Sequence, residues 1–117
     1  MATKFQLIVN GSAQPVHVHC CDTFLTRLRG MFGFGYQHHL DAWCLHPCRA
    51  VHTFLPARPV DVVFCDARGD VLRVCTPLPA RRWACCRGAD CVWEFFAGES
   101  ARWQLRPGQR LGCRALP

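Results

Sequence analysis

Apolar and polar residues alternate loosely from Thr3 to Val9, and the run stops at Asn10-Gly11. Alternation places successive side chains on opposite faces of a strand. Asn-Gly suits a two-residue hairpin turn, because both residues accept positive φ at little cost. Val16, Val18 and Cys20 then alternate with His17 and His19. This predicts a second strand paired with the first, with both histidines on its solvated face. Beyond it the period changes. Phe24, Leu25, Leu28, Met31 and Phe32 recur near three- and four-residue spacing behind Asp22 or Thr23 as a cap, which predicts one short helix. Gly30, Gly33 and Gly35 end it.

The remainder reads as strands and turns. Ala42 to Leu45 and Ala50 to Phe54 are short strand candidates around Pro47, and Val60 to Cys65 is the most β-prone run. Asp66-Ala67-Arg68-Gly69-Asp70 is a turn, and Val71 to Cys75 is the returning strand. Pro77-Leu78-Pro79 starts an irregular crossing segment. Cys91 to Ala97 is a further strand, Glu99 to Gln104 one helical turn, and Arg110 to Arg114 the last strand after the turn Arg106-Pro107-Gly108-Gln109. Seven or eight short strands with one short helix predict a mainly-β fold, a compact single-domain sandwich or jelly-roll-like barrel.

Length supports one domain over residues 1–117, since 13.3 kDa is an ordinary domain mass. Half of the residues are apolar and 19% are charged, which excludes an intrinsically disordered chain. Apolar runs such as Leu7-Ile8-Val9 and Val62-Val63-Phe64-Cys65 fall far short of the ~18 residues of a membrane-spanning helix. The formal charge is +6, and thirteen of the fourteen basic residues are Arg. They are scattered from Arg27 to Arg114, so an unspecialised basic surface is expected ahead of a nucleic-acid site. Ten cysteines raise the question of compartment. The start, Met1 to Asn10, lacks the ~7–15-residue apolar stretch of a signal peptide. A cytoplasmic setting is therefore expected, with reduced thiols such as Cys65 and Cys75 packing as small hydrophobes.

The densest set of reactive types is Cys44, His46, Cys48 and His52. Four-residue steps would line one face of a helix, but Pro47 breaks that helix and no CxxC occurs, so no metal site is expected. Cys48 and His52 also fit a nucleophile and base, with Asp61 or Glu94 to orient the imidazole. Glu94 lies in the apolar run Val92-Trp93-Glu94-Phe95-Phe96 and needs a donor, most simply an Arg. Arg81-Arg82-Trp83 is the one basic–aromatic triplet able to stack a base. Gly33-Phe34-Gly35 lacks the Lys-Ser/Thr of a phosphate loop, so no cofactor is expected there.

Taken in order, several segments resemble the domain of unknown function 192 family of bacteria and archaea. They are Arg27-Leu28-Arg29-Gly30-Met31, Pro47-Cys48-Arg49-Ala50-Val51-His52-Thr53, the stretch from Pro59-Val60-Asp61 to Gly69-Asp70-Val71, Trp93-Glu94-Phe95-Phe96-Ala97-Gly98, and Leu105-Arg106-Pro107-Gly108-Gln109-Arg110-Leu111. The resemblance implies a compact mainly-β domain of jelly-roll-like or sandwich character and brings no reaction with it. It places the family's signature polar positions on Arg27, His52, Thr53, Asp61 and Glu94, with Gly30, Gly69 and Gly98 as turn formers. Members often carry Met shortly after the Thr, where this chain has Phe54-Leu55-Pro56.

These readings converge on a non-catalytic ligand-binding or accessory module. Its expected pocket joins Arg27, His52, Thr53, Asp61 and Glu94 around a small ligand or peptide. Two alternatives stay open: a hydrolase-type enzyme with Cys48 as reactive thiol and His52 as base, and a basic surface for nucleic acid.

Overall fold

A computed structural model describes residues 4–23, 41–54 and 57–116. Asn10 and Gly11 both take positive φ, 50° and 83°, and join β1 (Phe5–Val9) to β2 (Ser12–Cys21) as an antiparallel hairpin. β3 (Asp41–Leu45) lies parallel to β2. Parallel neighbours need a long connection, and residues 22–40 intervene. The expected helix over Phe24 to Phe32 falls outside the described residues. β4 (Ala50–His52), β5 (Val60–Cys65), β6 (Val71–Leu78), β7 (Trp83–Cys85), β8 (Cys91–Phe96) and β9 (Leu111–Ala115) follow, with a 3-10 turn at Glu99–Trp103.

Seven strands form one sheet in the order β6-β5-β8-β3-β2-β1-β9, and β4 pairs with β7 in a second, two-stranded sheet. The fold is mainly β, as expected, and its sheets do not close into a barrel. Two elements differ from the sequence expectation. β6 continues past Cys75 through Pro77 to Leu78. Proline is tolerated there because β6 is the edge of the sheet, where a missing N–H breaks no ladder bond. β7 is a ninth strand, only three residues long, too short for alternation to mark it.

Each face of the large sheet carries a core. Leu7, Val18, Ala42, Val63, Phe95 and Leu111 belong to the first, which draws on nearly every strand of the sheet. Its members Val71 of β6 and Leu111 of β9 come from opposite edges, so the sheet curls around this core. The edges touch at one end, where Asp70 bridges Arg110. There Val71 N–H donates to Gln109 O (2.8 Å) and Leu111 N–H to Gly69 O (2.9 Å). Gly69 has φ 89°, and a Cβ would run into the Leu111 carbonyl oxygen, so a side chain there would push the edges apart. The opposite face is covered by the β4–β7 sheet. Val51 and Ala84 point inward to Trp43, Val62, Phe64 and Val92 in the second core.

Candidate functional site

The strand register decides which candidate residues can meet. Asp61 pairs with Phe95 and Val62 pairs with Glu94. Paired residues share a face and neighbours alternate, so Asp61 and Glu94 stand on opposite faces of the large sheet. The single pocket expected from the sequence is therefore not assembled around both carboxylates. Asp61, 1% exposed, is spent within the fold. Its Oδ2 accepts from Gly98 N–H (3.0 Å), Ser100 N–H (3.2 Å) and Ser100 Oγ–H (2.6 Å). This clamp fastens the corner after β8 to the start of β5. Glu94, 6% exposed, lies on the face that β4–β7 covers. Its charge reaches Cys21, whose thiol burial first and then the Glu94 carboxylate push up to about 12.

Thr53 is also used structurally. Its buried hydroxyl donates to Pro79 O and accepts from Arg82 N–H (3.0 Å). Its backbone bonds Arg82 O (3.0 Å) and Arg81 N–H (2.9 Å). These contacts lock the end of β4 to the approach to β7. Cys48 Sγ donates to Ala50 O (3.3 Å) and packs against the second core. The His52 ring instead meets Phe54 and Trp83. His46 Nε2 lies 2.8 Å from Asp90 Oδ2. Among the described residues no three His, Cys, Asp or Glu side chains are placed to hold a metal ion. Arg27 lies outside the described residues.

The outer face of the β4–β7 sheet gathers what remains. Val51 and Ala84 turn inward, so His52 and its direct cross-strand partner Trp83 turn outward. Their ring centroids are 5.1 Å apart. Phe54 completes a triad, 6.0 Å from His52 and 5.9 Å from Trp83. Phe54 N–H donates to His52 Nδ1 (3.2 Å), which helps to fix the ring. Trp83 is 68% exposed, the most exposed large apolar side chain described. Exposed aromatics in contact are uncommon without a partner.

Charge sharpens this picture. Residues 48–59 and 71–89, which carry β4 and β7, contain six Arg and no Asp or Glu. Arg49, Arg81, Arg82 and Arg87 are exposed on the flanks of the two strands. Arg73 Nη1 donates to Cys85 O (2.6 Å) at the far end of β7. The carboxylates of Glu99 and Asp70 pair elsewhere, with Arg102 (2.6 Å) and Arg110 (3.0 Å). The Arg81-Arg82-Trp83 triplet was visible in the sequence. Its meeting with His52 and Phe54 was not, because it depends on the β4–β7 pairing.

The sequence profile of a family described as DUF192, an uncharacterised ACR, matches residues 5–113. Two solved structures share the fold. One is a protein of unknown function from Novosphingobium aromaticivorans, 14% identical, with a TM-score of 0.73 over 93% of this chain and 83% of that one. The other is a candidate transcription regulator from Sinorhizobium meliloti, 17% identical, with a TM-score of 0.76 over 95% and 92%. No curated protein matches the chain.

Proposed function

The chain belongs to the DUF192 family, which carries no assigned reaction, and we propose that it is a non-catalytic binding module for ligands that join a flat ring to a phosphate. The observation that carries this reading is Trp83, 68% exposed and held against His52 and Phe54 on an arginine-flanked sheet without carboxylates. Aromatic faces stack bases without regard to sequence. Guanidinium groups bind phosphate oxygens in a fixed fork. Thr53 keeps the platform rigid, so little ordering cost falls on binding. The basic surface that the scattered arginines predict thus has a focus in three dimensions.

A free nucleotide and a single strand of nucleic acid offer the same chemistry, and one titration separates them. Tryptophan fluorescence is followed as thymidine monophosphate, or a ten-residue oligothymidylate, is added at two salt concentrations. Binding is expected to weaken with salt. Trp83→Ala should cost about 1–3 kcal/mol, roughly fivefold to 150-fold. Tighter binding of the oligomer identifies a strand, and equal binding identifies the nucleotide. An affinity that ignores both salt and Trp83→Ala, or preference for an acidic peptide, overturns the reading. A reducing, cytoplasmic setting accompanies it, in keeping with ten free cysteines. No helix among the described residues is long and apolar enough to cross a membrane.

A further inference from the structure

Three sulfurs stand in a row on the inner face of the curled sheet, away from the aromatic platform. Cys65 and Cys91 are direct cross-strand partners on β5 and β8. Directly opposed residues hold their Cβ atoms about 4.5–5.5 Å apart, a small adjustment from the separation a disulfide needs. On the other side of β8, Cys44 pairs with Trp93. Cys91 lies two residues from Trp93, so Cys44 and Cys91 share that face. The two ladders of β8 therefore set Cys65 on one side of Cys91 and Cys44 on the other.

The central place in the row gives Cys91 a distinct chemistry. A thiolate there accepts two S–H donors, which holds the Cys91 thiol well below the usual range. The two donors, buried as well, are pushed up. Asp90 opposes ionisation of Cys91 and His46 favours it. Cys91 is half-buried, and Cys65 is fully buried behind it.

We propose that Cys91 and Cys65 form a dithiol that reacts with hydroperoxides, Cys91 as the attacking sulfur and Cys65 as the resolving one. In the first step the Cys91 sulfur attacks the peroxide. An S–O bond forms and the O–O bond breaks. The leaving hydroxide or alkoxide takes a proton, giving water or alcohol and a sulfenic acid. In the second step the Cys65 sulfur attacks the Cys91 sulfur. The S–S bond forms, the S–O bond breaks, and the hydroxyl leaves with the Cys65 proton as water. Two thiols give up two electrons, and one hydroperoxide takes them.

Exposure alone ranks the cysteines differently. Cys20, Cys85 and Cys113 are the exposed ones. Cys20 and Cys113 are nonetheless raised: the protein around them partly desolvates both thiols, and with the neighbouring Cys20 this pushes Cys113 up to about 11. The decisive measurement is a time course of reduced full-length protein with one equivalent of hydrogen peroxide, quenched by alkylation and mapped by mass spectrometry. Cys91 is expected to oxidise at least about tenfold faster than Cys85 or Cys113, and the first product should link Cys91 to Cys65. Cys65→Ala should remove that link and leave a sulfenic acid at Cys91 that dimedone traps. Oxidation of Cys91 no faster than of Cys85, or a first disulfide that omits Cys91, overturns the proposal. The map of the unsubstituted protein decides this even if the variant does not fold.

Discussion

A carboxylate as deeply buried as Asp61 survives only while its charge is answered. Three donors meet one of its oxygens, all from the corner at Gly98 and Ser100, while Oδ1 has no hydrogen-bond partner. The residue therefore works as a fastener between β5 and the chain beyond β8. Asp61→Ala strands those donors inside the protein and should lower stability by about 3 kcal/mol. In urea unfolding this appears as a lower midpoint at unchanged slope. Nucleotide affinity of the folded variant should stay within a factor of about two, as expected for a site far from the change. A large loss of affinity without loss of stability would instead return Asp61 to the ligand.

At the scale of elements, the β4–β7 sheet depends on one hydroxyl. Thr53 ties the end of β4 to Pro79 and Arg82, and Arg82 leads directly into Trp83. Thr53→Val keeps the shape and deletes the hydroxyl, leaving the Arg82 N–H without its acceptor. The expected cost is about 1–2 kcal/mol, together with weaker oligothymidylate binding although no platform side chain has changed. Fluorescence titration and urea unfolding on the same sample measure both. Much at this scale was readable beforehand. The β-prone run from Val60 to Cys65 and the Asn10-Gly11 turn each marked their element, because both signals are local. What pairs with what was not readable. β2 accepts β3 in parallel, and β8 inserts between β3 and β5. Both choices rest on how long connections cross the sheet, and no local pattern records that. The misplaced pocket follows from the same gap. Asp61 and Glu94 sit in neighbouring signature segments, yet a single step of register sends them to opposite faces.

For the whole molecule, ionisable thiols set an alkaline limit. Cys21 and Cys113 are pushed above their ordinary value of 9.0, to about 12 and about 11, chiefly by burial. In the unfolded chain both ionise near 9.0. Folding holds them protonated, so their contribution is intact below that pH and fades as pH climbs from 9 toward 12. Thermal unfolding followed from pH 7 to 11 should show a falling midpoint above about pH 9. Cys21→Ala should flatten that fall, which isolates the thiol from general base damage.

The place of β8 sets the order in which the molecule can be completed. This strand sits between β3 and β5, but the ribosome delivers it only after both have emerged. Until residues 91–96 arrive, the β1–β2–β3 portion and the β5–β6 hairpin share no ladder, and each shows a bare margin to the other. A nascent chain stalled before Cys91 is thus two fragments awaiting a keystone, with the apolar side chains of Val62, Phe64 and Trp43 uncovered along the seam.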